Sequence, residues 1–359
     1  MINSIGSLTY EDYNYLHNQN KIYSSKFSIN QIQPSSVDLT LSEECYEICA
    51  SFLSISGSVR DYLNKVKIKK IDLNNKYLFK KKKTFLVKLN ESLNLDKNIY
   101  GLCNPKSSTG RLDIFCRTIL DYSDEYEKIP MNYNGEMFIE ITSQSFNIEF
   151  QKGDSLNQLR LVNKKNLYIL DNDLQKIHND DFLTLNKDNR KIEPKINNGL
   201  KISVDLCNIN KINAYVAKKN TPILYYQKTK YHKIQDFWDI LSLKNNRIII
   251  EKDRFYILKS KEKIQIPKNM AGEMIPYDTS LGDFRVHYAG FFDPGFGSAK
   301  GSYAVLEVKT NEVSFILEDG QSIARIKYEM LNKETKFLYG SKLNSNYQHQ
   351  NLALSKHFV

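Results

Sequence analysis

Residues 106–111 read Lys-Ser-Ser-Thr-Gly-Arg, which sets two cations, three hydroxyls and a glycine in consecutive positions. An arginine fork such as that of Arg111 matches the geometry of phosphate or carboxylate. Lys106 adds a second positive charge, and Ser107, Ser108 and Thr109 add hydroxyl donors. Gly110 allows close approach of the backbone to a ligand, and the successive N–H groups of such a turn can hold an anion. Composition alone leaves the stretch balanced between an anion loop and a polar turn. It is not a Walker A loop, because the spacing GxxxxGK[ST] is missing. A carboxylate suited to acid–base work appears twice, as Glu140 in GEMFIEI and as Glu307 in YAVLEV.

These two glutamates are related by a repeat. Ser36-Val37-Asp38-Leu39 returns as Ser203-Val204-Asp205-Leu206, 167 residues later. At the same offset the segment starting at Gly135 aligns without gaps on the one starting at Ser302, so that Glu140 meets Glu307, Gly153 meets Gly320 and Ser155 meets Ser322. Three blocks at one offset indicate two homologous domains in tandem. The predicted organisation is 1–165, a linker over 166–198, 199–330, and a tail over 331–359. Glu140 shares its strand face with Glu136 and Phe138, while Met137, Ile139 and Ile141 point the other way. A lone glutamate there is ordinarily solvent-facing; its retention in the second copy favours a site or a domain interface.

The elements that must position these groups are mostly strands. MFIEI, FNIEF, LNQLRLV, YAVLEV and VSFILED alternate with period two. Helical pattern is confined to TYEDYNYLHNQ at the front and to IQDFWDIL in the second copy. The fold class is therefore mainly β, with two tandem domains and a few short helices, and sheet closure is the usual way for short strands to avoid open edges. The copies differ at the loop: Lys106 falls on Tyr277, Ser107 on Asp278 and Arg111 on Gly282. The second copy carries instead an aromatic hairpin, His287 to Gly297, that the first lacks. Each copy holds half of a site. The tail segment Tyr339 to Gln350, with Lys342, Tyr347 and Gln350, reads either as a disordered end or as a lid.

Composition narrows the classes. The 359-residue chain carries a formal net charge of +10, consistent with a lysine-rich surface or with a polyanionic partner. Lys80 to Lys83 precede an apolar alternation and read as the solvated start of a strand. Five cysteines, an odd number without CxxC, point to reduced thiols in a cytoplasmic protein. The N-terminus has no secretory pattern, and no window reaches transmembrane length.

Together, IQPSSVDLTL (32–41), PKSSTGRLDIF (105–115), AGFFDPGF followed by AVLEV, GDSLNQLRLV and NYQHQ resemble the dCTP deaminase family of the dUTPase-like superfamily, in its long two-domain form. The resemblance implies two dUTPase-like β-barrel or β-clip domains. It implies hydrolysis of dCTP to dUTP and ammonia, feeding dTMP synthesis, with Mg²⁺ carried on the substrate triphosphate. It also implies no zinc, which agrees with the lack of the HxE and PCxxC elements of zinc deaminases. It places acid–base catalysis on Glu140 or Glu307. Ser107 and Arg111 would hold the water and the glutamate's charge, with the guanidinium keeping the carboxylate ionised. Lys106 and Ser108 would hold phosphates, and Gly110 would line the loop. Gln158 lies on a phosphate-side strand, and Ala289, Gly290, Asp293 and Phe296 lie on the hairpin that reads base and sugar. Lys342, Tyr347 and Gln350 belong to the lid. Because neither copy is complete, a composite of the first copy's loop with the second copy's hairpin is expected, in a threefold homo-oligomer with no nucleic-acid or membrane partner. A dUTPase or bifunctional deaminase–diphosphatase, for which Asp293 is the candidate, is the nearest alternative. A non-catalytic nucleotide- or RNA-binding protein is the other.

Overall fold

In the computed structural model, described for residues 2, 4–164, 168–207, 212–243, 245–276, 284–286, 290–310, 313–341 and 347–359, two β units are built to one plan. The first unit has an antiparallel sheet in the order Lys67–Asp72, Leu41–Ile48, Thr84–Asn94, Asn134–Ser143, Ile114–Ile119. Its companion sheet runs Gly6–Ser7, Asn157–Asn163, Ile99–Pro105, Lys128–Ile129. The second unit repeats this with Trp238–Leu241, Ala214–Ala217, Phe255–Ile264, Ser302–Thr310, Phe284–Val286, and with Leu200–Ser203, Ser322–Met330, Met270–Pro276, Phe291–Phe292. The registers repeat as well. Gly101 pairs with Leu161 as Gly272 pairs with Tyr328, and Pro105 pairs with Asn157 as Pro276 pairs with Ala324. The architecture is mainly β with tandem domains, as the alternation predicts.

Glu140 is not on a solvent face. The helix Val59–Val66 lays Val59 and Leu63 over the Phe138 side of its strand, together with Tyr46, Ile48, Leu86 and Ile119. Alternation on that strand is interrupted by a register shift between Glu136 and Phe138. This helix was absent from the sequence expectation, although Ser58 and Asp61 form a capping box at its start. The expected helix at IQDFWDIL is a single turn, Ile234–Phe237, followed at once by the strand Trp238–Leu241. Tertiary burial overrides local propensity there. The Trp238 ring packs against Phe146 of the first unit at 5.4 Å, and Phe237 lies on the same ring at 5.6 Å.

The two units share structure. Leu224–Tyr225 adds in parallel to the first unit's Ile148–Phe150. The first unit's core takes in Tyr226, Phe237, Trp238 and Phe255 from the second, and Leu354 and Phe358 from the tail. Fully buried Arg160 reaches across to Glu329, with 2.9 Å between Nη1 and Oε1. Within 166–198 lie the helix Asp171–Asp180 and the strand Thr184–Leu185, which pairs with Phe255–Ile264. No helix among the described residues is long and apolar enough to cross a membrane.

Candidate active site

The loop begins where the strand Ile99–Pro105 ends. Pro105 cannot continue the ladder as a donor, and Ser107–Gly110 close one helical turn in which the Arg111 N–H donates to the Ser107 carbonyl at 3.1 Å. The turn is anchored from below. Thr109 Oγ1 donates to the Leu156 carbonyl at 2.8 Å, and the Ser108 carbonyl accepts from Ser355 Oγ at 2.8 Å. Ser355 Oγ contacts His357 Nδ1 at 2.9 Å, and His357 Nε2 sits 2.9 Å from the Tyr226 carbonyl. Burial lowers His357 to a pKa of about 3, so its ring is neutral and serves as a fixed strut.

Gly110 faces Glu307. A Cβ at Gly110 would lie 2.5 Å from Glu307 Oε2 and 2.8 Å from its carboxyl carbon. The carboxylate of the second repeat thus rests directly on the cationic loop of the first, within one chain. Glu307 is buried on Ser302–Thr310, and burial pushes its pKa well above the usual carboxylate range. The Arg111 charge opposes that shift, and Asp113 reinforces it. Arg111 acts in the expected direction, and burial is the larger effect. The guanidinium is turned elsewhere: its Nη2 donates to Gln350 Oε1 at 2.8 Å, its Nη1 donates to the Ala353 carbonyl at 3.1 Å, and it lies over the Tyr347 ring at 3.8 Å.

Around this contact the other residues fall into three groups. Lys106 Nζ is paired with Asp38, in the repeated Ser-Val-Asp-Leu motif, and lies 3.4 Å from Ser155 Oγ. Ser36, in the same motif, meets Gln158 Oε1 at 3.5 Å, and the neighbouring Ser35 N–H donates to Asp293 at 3.2 Å. The segment 35–38 thus joins Lys106, Gln158 and Asp293. Burial raises the Asp293 pKa to about 6, against the opposing charge of Arg160. The tail forms the third group. Gln350 Nε2 donates to the Tyr303 carbonyl at 2.9 Å, while Gln348 Oε1 accepts from the Gly297 N–H and Gln348 Nε2 donates to the Gly295 carbonyl, both at 3.0 Å. Gln350 and Tyr303 also border a cavity of about 270 Å³ with Asn189, Lys263, Lys300 and His349.

Not every expected residue converges here. Glu140 is committed elsewhere: Arg117 Nη2 contacts it at 2.7 Å, Ser51 hydrogen-bonds its other oxygen, and Arg117 stacks on Tyr126 at 3.8 Å. Phe296 is buried, with its ring against Phe292 at 5.0 Å and Tyr339 at 5.6 Å. The Gly290 carbonyl accepts from the Met274 N–H at 3.1 Å. Ser107 is exposed at the start of the turn. Ala289 and Lys342 lie outside the described residues. Asp38 and Arg160 escaped notice as site residues. Asp38 stood in a repeated motif that could have given it away, whereas Arg160 had no local signal.

The model of the 2′-deoxycytidine 5′-triphosphate deaminase N-terminal domain matches residues 4–165, and that of its C-terminal domain matches residues 170–358. The chain belongs to the dCTP deaminase family. Among solved structures it is similar to the 2′-deoxycytidine 5′-triphosphate deaminase from Agrobacterium tumefaciens, with a TM-score of 0.86 and 36% identity over 92% of this chain and 100% of that one. Among curated proteins, none matched. The paired family matches follow the two repeats, so the dCTP deaminase relationship extends to both halves.

Proposed function

We propose that this chain deaminates dCTP to dUTP and ammonia with Glu307 as its acid–base group. The observation that carries the reading is the Glu307 carboxylate lying against Gly110 of the Lys106–Arg111 loop. A neutral carboxylic acid in that position donates a proton to N3 of the cytosine ring. The resulting carboxylate takes a proton from water as the oxygen bonds to C4. It returns that proton to the amino group, the C–N bond breaks, and ammonia leaves. The remaining C4 hydroxyl proton restores the acid as the carbonyl forms. One group acting in sequence suits a carboxyl whose pKa is raised by burial, and such catalysis is worth about 10²–10⁴-fold.

Arg111 serves as a positioning residue that clamps Tyr347 and Gln350 over the site. Lys106, Ser108 and Gln158 are the proposed phosphate-side contacts, and Gly290 and Asp293 the nucleoside-side contacts. Ala289 and Lys342 are proposed by sequence position alone. Among the described residues no group of three His, Cys, Asp or Glu side chains could hold a metal ion. In this proposal Mg²⁺ arrives on the substrate phosphates, where it would neutralise their charge, and the reaction at C4 proceeds without zinc. The glutamate and its loop come from the same chain, and the threefold homo-oligomer is a separate proposal. The proposed setting is cytoplasmic pyrimidine deoxyribonucleotide metabolism, with dUTP as the precursor of dTMP.

The test is incubation with Mg–dCTP and analysis for dUTP, dUMP, pyrophosphate and ammonia. Ammonia and dUTP in equal amounts support the reading. Accumulation of dUMP and pyrophosphate moves the chain to a bifunctional enzyme, and no turnover moves it to a nucleotide-binding role.

A further inference from the structure

A second cationic cavity lies between the two units. Its volume is about 300 Å³, and Lys81 and Lys82 from the first unit and Lys218, Lys219 and Arg254 from the second line it against one carboxylate, Asp253. Lys81 and Lys82 are oriented by neutral oxygens, which leave their charge in place: Lys81 Nζ donates to the Lys219 carbonyl at 2.6 Å and Lys82 Nζ to Gln144 Oε1 at 2.9 Å. Lys218 Nζ donates to the Gln235 carbonyl at 2.5 Å and also faces Asp239 at 3.8 Å. Arg254 is shared more loosely between Asp239 at 3.3 Å and Glu251 at 3.5 Å, and its Nε is buried without a hydrogen-bond partner. Lys82 sits at a left-handed φ of 65°, a conformation unusual for a lysine, in the turn that leads into Thr84–Asn94. Burial lowers the Lys82 pKa, with Lys309 adding to the shift and Asp113 and Asp253 opposing it.

We propose that this cavity binds a polyphosphate anion, a chain of about three phosphates with four or five cations around it. Preassembled like charges in a concave site focus a positive potential that an anion relieves, and lysines act as point-charge phosphate ligands. The cavity adjoins the back of the catalytic loop. The Gln144 N–H donates to the Asp113 carbonyl at 2.9 Å, Ser145 Oγ donates to the Asp113 carboxylate at 2.6 Å, and Lys309 approaches that carboxylate at 3.4 Å. Gln144 and Ser145 both line the cavity, and Asp113 follows Arg111 by two residues. An occupant therefore touches the residues that hold Asp113, whose charge acts on Glu307.

The site rests on the reading of the Lys106–Arg111 loop as a separate triphosphate site, so stoichiometry distinguishes the two. Titration calorimetry of the full chain with inorganic tripolyphosphate is expected to show two equivalents bound. Lys82→Gln/Lys219→Gln should bind one equivalent, with its melting temperature unchanged. Lys106→Gln should lose the other equivalent and keep the cavity. Lys80→Gln, which removes the same kind of charge outside the lining, should keep both. One equivalent in the wild type that disappears in Lys106→Gln overturns the inference and leaves the proposed function standing. One equivalent that disappears in Lys82→Gln/Lys219→Gln supports the cavity and counts against the loop. Equal weakening by Lys80→Gln also overturns it, by showing unspecific charge. A repeat with ATP separates the sources: tighter binding than tripolyphosphate assigns a nucleoside triphosphate, and equal binding assigns the free polyphosphate.

Discussion

Gly110→Ala adds one methyl group at the contact on which the account depends. The new Cβ would stand 2.5 Å from Glu307 Oε2, 2.8 Å from Cδ and 2.9 Å from Oε1. Ordinary van der Waals contact begins near 3.4 Å, so the carboxylate must withdraw by about 0.9 Å. Gly110 has no positive φ, and alanine suits its helical turn better than glycine does. The atoms displaced are the far end of a flexible side chain, so the fold absorbs the change through an off-rotamer glutamate at about 0.5–1.5 kcal/mol. Catalysis tolerates it less, because a misplacement of ~1 Å can cost about 10²-fold. The expected result is a kcat for dCTP deamination reduced on the order of 10²-fold, with a melting temperature within a few degrees of wild type. A rapid ammonia assay and a thermal melt on the same preparation check both. A kcat within threefold of wild type, with the fold intact, would refute the assignment of Glu307 and Gly110 to one site.

Arg111→Ala should release Tyr347 and Gln350, raise KM for dCTP and lower kcat/KM by about 10²-fold, with faster hydrogen exchange over 347–359; Arg111→Lys cannot restore the stacked fork and should recover little of the loss. Because burial raises the Glu307 pKa, kcat/KM should fall on the alkaline side as the acid form is lost, and a profile flat to high pH would contradict that. Glu127 is held at a pKa of about 8 by burial, against a bond from Asn157. Its folded form binds a proton that the unfolded form releases above about 4.5, so its contribution is complete below that pH and declines as pH rises to about 8. Glu127→Gln should flatten that part of the denaturation profile, by on the order of a few kcal/mol. Arg160→Met removes the buried Arg160–Glu329 ion pair and should cost about 3–5 kcal/mol in denaturant unfolding, whereas Arg160→Met/Glu329→Leu should recover most of it.

The repeat was legible because it is written in the order of residues: one offset carried Glu140 onto Glu307 and predicted two β units. The loop stood out in the sequence because its cations have no counterpart in the second copy. Sequence could not choose between the glutamates, since they differ in what surrounds them. Arg117 and Ser51 engage Glu140, while Gly110 leaves room beside Glu307, and these neighbours are set by pairing across sheets. The direction of Arg111 was likewise hidden, because its partners, Tyr347, Gln350 and Ala353, lie more than 230 residues away. The turn at Ile234–Phe237 shows the same limit from the other side: a helical pattern gives way where Trp238 is drawn into the joint between units.

The central claim is that Glu307, and not Glu140, is the proton-transfer group. Single-turnover deamination of dCTP by Glu307→Gln and Glu140→Gln, each checked for an unchanged fold by circular dichroism, tests it most directly. The account predicts a loss of at least about 10²-fold in Glu307→Gln and a rate within a few fold of wild type in Glu140→Gln. Equal losses in both, or a loss confined to Glu140→Gln, would contradict it.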